Sequence, residues 1–467
     1  PALEASRRAP ALALKAGDEE EALRGLRRLW PSLLLLILGF ILAQLPPVYE
    51  LPIAGYAAIA AILLGAILFM PRLAESALSH APHIRYPPAA LAIAQLQATP
   101  RQVGVSLAAI LASFSLMVAM LIMVGSFRTS LETWLDQMLP ADLYVRAGRT
   151  GENAIFTPEQ QSRIATLPGI ANAVFIRSQN VFMRADRPPL SLHARAVSRG
   201  QREPALPYIG RTLAVDANAP PPAWISEVAA DLLHVKSGAV IELPLAGALY
   251  QFTVAGIWRD YARQNGAIAI DRERYIQITG DANANEAALH LASGAAVDET
   301  SAHLRSAFGD GSGVEISPTR ELKAASLTIF DRTFAVTYAL EVAAVLIGMF
   351  GVSASFSAQA LARRRELGML RHLGMTRRQV AAMLGWEGCI VGSLGVIAGL
   401  ATGWIISLIL IHVINRQSFH WSMDLTAPWI ELALLAEALV AAAAATAVLS
   451  GRRTMSDEVT RAVREDW

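Results

Sequence analysis

The chain has little cysteine and little lysine, and both shortages exclude classes of structure. Its one cysteine, Cys389, cannot form an intramolecular disulfide, so every domain must be held together by its core alone. The only lysines are Lys15, Lys236 and Lys323, and none of them follows a glycine. A standard P-loop, which needs Gly-Lys-Ser/Thr to cradle phosphate, is therefore absent. If ATP drives this protein, another subunit must hydrolyse it.

Motifs for catalysis, metal binding and nucleic-acid binding are also missing. The net charge is +1, with no extended basic domain, so nucleic acid is not an expected partner. His80 and His83 form an HxxH pair without the Glu or third ligand of a zinc site. No Gly-x-Ser-x-Gly nucleophile motif occurs. We expect no catalytic residues, no bound cofactor and no metal, and hence a protein that is not an enzyme by itself.

Apolar residues dominate what is present. The 467 residues are 54% hydrophobic and 17% charged, with a mean hydropathy of +0.38. These values indicate a bundle of membrane helices together with a sizeable water-soluble domain.

Six apolar runs are candidates for membrane spans. An even number of spans places both chain ends on one side. The arginines within residues 363–378 and 452–464, which lie at the ends of spans, make that side the cytosol. A hydrocarbon core requires about 20 apolar residues, and the first run is short for that length. The runs are Pro31–Leu45, Ile53–Met70, Val103–Gly125, Phe334–Phe356, Met383–Val413 and Trp429–Leu449.

The residues between the third and fourth runs have a different character, with Pro, Gly and charge mixed among short alternating segments. Segments 173–183, 239–243, 251–257 and 267–270 are typical of strands, and segments 158–167, 226–233, 272–278 and 297–308 of helices. We expect an α+β extracytoplasmic domain inserted between the third and fourth of about six transmembrane helices.

A basic elbow precedes the fifth run. Leu361, Leu367, Leu370 and Leu373 recur at mostly helical spacing, which predicts a short helix with one apolar side and arginines on the other. Gly374 is the expected left-handed stop. Thr376 and Gln379 have the spacing of a capping box at the start of the next helix.

Small residues mark one side of that next helix, which predicts close packing against a neighbouring helix. The glycines are Gly388, Gly392, Gly395, Gly399 and Gly403. A positively charged anchor beside an ordinary packed helix would explain elbow and stripe equally well. Deep in the last run, Glu437 is the best candidate for an intramembrane polar contact with a partner helix.

The string RRRELGMLRHLGMTRRQV, followed by Glu387 and the glycine-striped run, resembles the FtsX-like ABC transporter permeases of the MacB and LolC/LolE type. ISEVAADLLHVKSGAVIEL and FTVAGIWRD resemble their MacB-like periplasmic domain. The resemblance implies that one segment contacts an ATPase subunit and couples to it. Its residues are Arg363, Arg364, Arg365, Glu366, Leu367, Gly368, Leu370, Arg371, Leu373 and Gly374.

The resemblance also implies a division of the chain. The small residue and paired arginines near both chain ends suggest that 1–28 is the cytosolic tail of a preceding repeat, with the chain as the C-terminal half of a duplicated permease, although short charged tails also look alike by chance. The remaining parts are a linker hairpin (29–72), an elbow helix and span (87–135), the extracytoplasmic domain (136–328), a span (329–358), the coupling segment (359–382), two spans (383–450) and a cytosolic tail (451–467).

The expected function is that of a multi-pass permease subunit in a bacterial inner membrane, with a large periplasmic domain. ATP and Mg would be bound by a partner ATPase, in two copies, and its movements would pass through stiff spans to move a hydrophobic molecule, peptide or lipoprotein (mechanotransmission). Further partners would be a first permease repeat or second permease subunit, membrane lipid and a periplasmic protein. The alternative is a signalling subunit that activates an outer partner such as a cell-wall hydrolase.

Overall fold

A computed structural model describes residues 29–49, 51–82, 84–148, 154–184, 187–196, 206–216, 218–309 and 313–456. They divide into two compact units. The sheet unit comprises Ser126–Ala335 and Ser418–Asp424, and the helical unit comprises the other described residues. The proposed repeat tail 1–28, His83 and most of the C-terminal tail lie outside the described residues.

Four helices come first: α1 (Leu29–Leu42), α2 (Ile53–Ser79), α3 (Pro87–Ala98) and α4 (Pro100–Met138). The sheet unit follows, with β1 (Leu143–Arg146), α5 (Pro158–Ala165), β2 (Ile170–Val181), β3 (Leu190–Arg195), β4 (Tyr208–Ile209), β5 (Pro222–Ser226), α6 (Glu227–Leu233), β6 (Val240–Leu245), β7 (Ala248–Trp258), β8 (Ala267–Asp271), α7 (Arg272–Thr279), β9 (Glu286–Leu291), α8 (Val297–Phe308) and β10 (Glu315–Pro318).

The last helices are α9 (Thr319–Ala362), α10 (Arg364–His372), α11 (Arg377–Ile409), α12 (Asn415–Phe419) and α13 (Trp429–Ser456). One turn of π-helix, Leu410–Ile414, joins α11 to α12. Two helices cross the boundary between the units along the chain: α4 enters the sheet unit at Ser126, and α9 leaves it after Ala335.

Five helices of the described residues are long and apolar enough to cross a membrane. They correspond to the last five predicted runs: Ile53–Ser79, Gln102–Met138, Thr319–Gln359, Arg377–Phe419 and Trp429–Arg452. The first predicted run contains α1, an apolar helix of 14 residues. At 1.5 Å per residue it reaches about 21 Å, less than a hydrocarbon core of about 30 Å. The count of six spans stays a prediction.

The sheet has ten strands, in the order β10-β1-β9-β2-β3-β8-β5-β7-β4, with β6 also paired to β7. The pairs β3/β8 and β5/β7 are parallel, and the other pairs are antiparallel. Mixed pairing with helices outside the strand order is the arrangement of an α+β domain, as predicted. All four predicted strands and all four predicted helices of this region are found, with shifted ends.

One face of the sheet carries the core. Side chains alternate between faces along each strand, and Leu190, Leu192 and Ala194 of β3 point to the face on which α6 and α7 pack. A second apolar cluster on β1 and β9 holds α5 and α8. The opposite face therefore carries the intervening residues, which include His193 and Arg195 of β3.

Candidate functional site

The elbow segment, residues 363–376, begins at a break between two helices. Arg363 separates α9 from α10, with φ −97° and ψ 15° in place of the helical values. Its guanidinium donates to both carboxylate oxygens of Glu387 on α11, at 2.9 and 3.3 Å. The two side chains are only 12% and 4% exposed. A buried bidentate pair fixes both partners in one geometry, because either charge left alone would be costly.

The other end of α10 closes as predicted. Gly374 has φ +100°, which is strained for any residue with a side chain. Its amide donates to Arg371, and the Met375 amide donates to Leu370, which together form a Schellman motif. The Thr376 hydroxyl then accepts from the Gln379 amide, while the Gln379 side chain accepts from the Thr376 amide. The turn between α10 and α11 is thus fixed by local hydrogen bonds.

The apolar side of α10 packs inside the helical unit. Leu367 is 1% exposed, and it joins Ala92 of α3 and Val380 of α11 in one cluster, with Leu370 half-buried beside them. The prediction that four leucines share this side is wrong for two of them. Leu361 lies before the break in α9, and Leu373 caps α10, and they are 64% and 83% exposed. The break at Arg363 changes the helical phase between Leu361 and Leu367, and the end of α10 takes Leu373 off the apolar side.

The polar residues of the elbow segment have varied surroundings. Glu366 accepts from Arg363 Nε at 3.2 Å and from Gln95 Nε2 of α3 at 3.4 Å. Gly368 and Arg371 are half-buried, and the side chains of Arg364 and Arg365 lie outside the described part of the structure. The elbow is therefore tied to both α3 and α11.

Two apolar side chains of the elbow project outward. Met369 is 60% exposed and Leu373 is 83% exposed, although the helix that carries them is anchored on its other side. A rigid helix with exposed large apolar residues is typical of a surface that another protein covers.

The glycine stripe packs closely, but against two helices. A Cβ at Gly388 would lie 2.7 Å from the Ala443 carbonyl oxygen, and Gly392 also faces α13. Gly395, Gly399 and Gly403 face α4, where a Cβ at Gly403 would lie 2.6 Å from the Ser115 carbonyl oxygen. Both contacts are shorter than any side chain allows, so these glycines set the approach of α11 to its neighbours.

Glu437 makes no hydrogen bond or ion pair with another described residue. It lies exposed on α13, and its expected contact with a partner helix is not formed within the described chain. A helix of another subunit remains the proposed partner.

A contact that sequence reasoning missed lies inside the sheet unit. The loop segment Ser418–Asp424 returns to the sheet domain, where Arg259 donates to both carboxylate oxygens of Asp424 at 2.5 and 2.8 Å. Ser422 donates from its amide and its hydroxyl to Glu227, at 2.8 and 2.9 Å, and Tyr261 donates to the Ser422 carbonyl. We call these five residues the loop clamp. The sequence offered one signal for this contact: Asp424 is the one acidic residue of the loop segment, and Arg259 directly follows β7.

A hydrogen bond and burial shift the pKa values of two side chains in the loop clamp. The side-chain hydrogen bond from Arg259 holds the pKa of Asp424 below its ordinary 3.8. Burial raises the pKa of Tyr261 to about 12, so it remains a donor at all physiological pH values. The clamp is thus fully formed at neutral pH.

A second missed feature joins α4 to α9 within the sheet unit. Arg128 donates to Asp331 at 2.7 Å, and Lys323 donates to Asp136 at 2.6 Å. The two pairs are eight residues apart on each helix, as an antiparallel pair in constant register requires. We call residues 126–138 and 319–335 the stalk. Its aromatic side chains also meet, with Phe127 and Phe330 at a centroid distance of 5.2 Å.

Comparisons with known proteins identify the family, and the matched domain includes the elbow segment. The family model for the FtsX-like permease C-terminal domain matches residues 339–459, which confirms the resemblance. Over 339 residues the chain is 30% identical to an uncharacterized ABC transporter permease protein, Rv0987, of Mycobacterium tuberculosis, and this alignment covers 69% of the chain. The chain spans 38% of that relative's length.

A solved structure also matches. The extracellular domain of the noncanonic ABC-type transporter YknZ from Gram-positive bacteria covers 38% of this chain and 98% of its own, at 12% identity. The TM-score is 0.26, which is too low to support an inference about fold or function.

Proposed function

The chain carries the C-terminal domain of FtsX-like ABC permeases, and from this premise we propose that it is a membrane subunit that transmits the work of a separate ATPase. The ATPase would dock on the elbow segment at the cytosolic face. ATP-driven closure would displace α10, and the stiff helices α4 and α9 would carry the displacement into the sheet unit on the other side of the bacterial inner membrane. The chain itself would perform no catalysis.

The arrangement of α10 carries this proposal. Leu367 and the Arg363–Glu387 pair anchor one side of the helix to α3 and α11, while Met369 and Leu373 remain exposed on it. A force applied at Met369 and Leu373 would therefore reach the helical unit without bending α10 first. Two hydrogen-bonded caps at residues 374–379 keep the turn from absorbing the motion.

The stalk and the loop clamp support the second half of the proposal. The continuous helices α4 and α9 are pinned to one another by two ion pairs, and the loop before α13 is pinned to the sheet by Arg259 and Asp424. The two stalk helices and the loop segment Ser418–Asp424 are thus each held within the sheet unit by charged hydrogen bonds. We propose that the substrate is a hydrophobic or amphipathic molecule, a peptide or a lipoprotein, moved at the outer side of the membrane.

A test compares docking and coupling in matched variants. The full chain is co-purified with the ATPase encoded beside it, and ATP hydrolysis is measured with and without the permease. We expect Met369→Asp and Leu373→Asp to abolish association, since a carboxylate would be buried in the interface. Leu249→Asp, at a side chain that is 66% exposed in the sheet unit, is the control and should leave association intact. Association that survives both elbow substitutions would contradict the docking site.

A signalling subunit that activates an outer partner is the alternative function. It would use the same elbow and stalk, but it would need no space for a ligand. A cavity of about 510 Å³ in the sheet unit supports the handling of a ligand over pure signalling.

A further inference from the structure

The cavity of about 510 Å³ in the sheet unit lies on the face of the sheet opposite the helices α5–α8. Its floor is formed by side chains of β1, β2, β3, β8, β9 and β10. Five residues of the stalk also line it, as do Leu139 and Pro140 just after the stalk; the five are Trp134, Leu135, Met138, Leu322 and Ser326. Every lining residue belongs to the sheet unit. Its volume is within the range of about 300–1,000 Å³ found for small-molecule sites.

The lining is apolar at one side and basic at the other. Trp134, Leu135, Met138, Leu322 and Trp258 supply the apolar surface. Three arginines supply the positive charge, and two of them have carboxylate partners. Arg263 pairs with the buried Asp260 at 2.9 Å, and Arg146 lies 3.7 Å from Glu286.

Arg195 is the third arginine, and it forms no hydrogen bond or ion pair with another described residue. Burial lowers its pKa, although it stays a cation at neutral pH. Glu286 attracts Arg195 electrostatically but accepts no hydrogen bond from it, so the hydration that the guanidinium loses on burial is only partly compensated. A ligand anion would supply the missing partner.

Two further buried nitrogens at this wall, one of them an indole donor, lack a partner in the described chain. The indole Nε1 of Trp258 and the Nε2 of His193 are buried, and neither has a hydrogen-bond partner in the described chain. His193 is held by a 2.7 Å contact from its Nδ1 to the Ser178 hydroxyl. Burial, then the charges of Arg263 and Arg195, lower the pKa of His193 well below 6.5, so the ring is neutral. Glu286 and Glu315 also line the cavity, and Glu286 is engaged by Arg146, so among the described residues the guanidinium of Arg195 remains the cation of this wall with unused hydrogen-bond donors.

We propose that this cavity binds an amphipathic organic anion, with its carboxylate or phosphate on Arg195 and its apolar body against Trp134, Met138 and Trp258. Because the floor and the stalk both line the site, the ligand would contact the two helices that transmit motion in the proposed function. The use of this ligand as cargo or effector rests on the proposed function. Binding itself does not, because it requires only the sheet unit.

The test uses the full chain in phosphatidylcholine nanodiscs, without an ATPase. Decanoate, decyl phosphate and the neutral decanol are titrated calorimetrically, with empty nanodiscs as the baseline for partition into lipid. We expect at least one anion to bind about tenfold or more tightly than decanol. The comparison of the two anions identifies the headgroup class.

Three variants locate the site. Arg195→Gln should reduce anion affinity to that of decanol while leaving the thermal midpoint no lower than that of the wild type, because no internal ion pair is lost. Arg274→Gln, on the exposed surface of α7, should bind as the wild type does. Ser326→Phe, which places a ring in the cavity, should weaken all three ligands.

Several outcomes would overturn the proposal. Equal affinity for anions and decanol, full binding by Arg195→Gln, or no binding of either anion at millimolar concentration would each do so. Failure of the ATPase to dock on the elbow segment would leave these results unchanged, so the two proposals fail separately.

Discussion

Arg363 donates to both carboxylate oxygens of Glu387, at 2.9 and 3.3 Å, at the point where α9 stops and α10 begins. This pair stabilises the break between the two helices, and the break sets the direction of α10. Because both side chains are buried, each charge depends on the other for compensation.

The first prediction concerns this pair. Arg363→Gln should destabilise the chain by about 3–5 kcal/mol, since it leaves the buried Glu387 unpaired, and Glu387→Gln should cost less, since Arg363 keeps its hydrogen bond to Glu366. The double variant should lose clearly less than the sum of the two. The measurement is a double-mutant cycle on the unfolding of the purified chain in detergent. Additive losses would show that the pair does not interact energetically.

The second prediction tests the glycine stripe by the sign of the effect. Gly388→Ala and Gly403→Ala should lower the thermal midpoint, because a Cβ would lie 2.7 and 2.6 Å from backbone oxygens of neighbouring helices. Gly351→Ala on α9, where a Cβ meets nothing within 4 Å, should instead raise it through a helix-propensity gain of about 1 kcal/mol. An equal shift for all three would exclude close helix packing as the role of the stripe.

Features set by local sequence could be predicted, and features set by distant contacts could not. The left-handed Gly374, the Thr376 capping box and the α+β character of the sheet domain follow from neighbouring residues, and the structure contains all three. The break at Arg363 could not be read from spacing, because it depends on Glu387 on the next helix. This break is why Leu361 was misplaced, whereas Leu373 was misplaced because the helix ends there.

The sheet domain shows the same limit. Strand β5 is buried at four consecutive residues, so its sequence shows no alternation of apolar and polar side chains. The loop clamp joins Asp424 to Arg259 across 165 residues of chain, and no local pattern contains that information. The cavity required the register of six strands before its lining could be named.

The third prediction is a pH dependence of the loop clamp. The hydrogen bond from Arg259 lowers the pKa of Asp424 below 3.8 in the folded chain, so the ionised carboxylate favours folding. This contribution is fully present above pH 3.8 and is lost as the pH falls through the lower, folded value. Asp424→Asn should therefore lower the thermal midpoint at about pH 7, and the difference from the wild type should shrink as the pH falls below 3.8 and through the lower, folded value.

The check on this assignment is a neighbouring variant. Ser418→Ala lies in the same loop segment at an exposed, uncharged side chain and should not reproduce the low-pH convergence. A constant difference between wild type and Asp424→Asn across this range would mean that Asp424 acts through packing and not through its charge.

The last prediction tests the register of the stalk by charge reversal. Lys323→Asp places two carboxylates together, and Asp136→Lys places two ammonium groups together, at a contact that is 2.6 Å in the wild type. Each should lower the thermal midpoint slightly, because the loss in free energy of unfolding is near the upper end of the ~0–1 kcal/mol typical of exposed pairs. The double reversal should restore it, since the same contact is rebuilt with opposite polarity. If coupled ATP hydrolysis also falls in the single variants and recovers in the double variant, the register of the two stalk helices is part of the transmission path. Recovery of stability without recovery of coupling would confine the ion pair to a structural role.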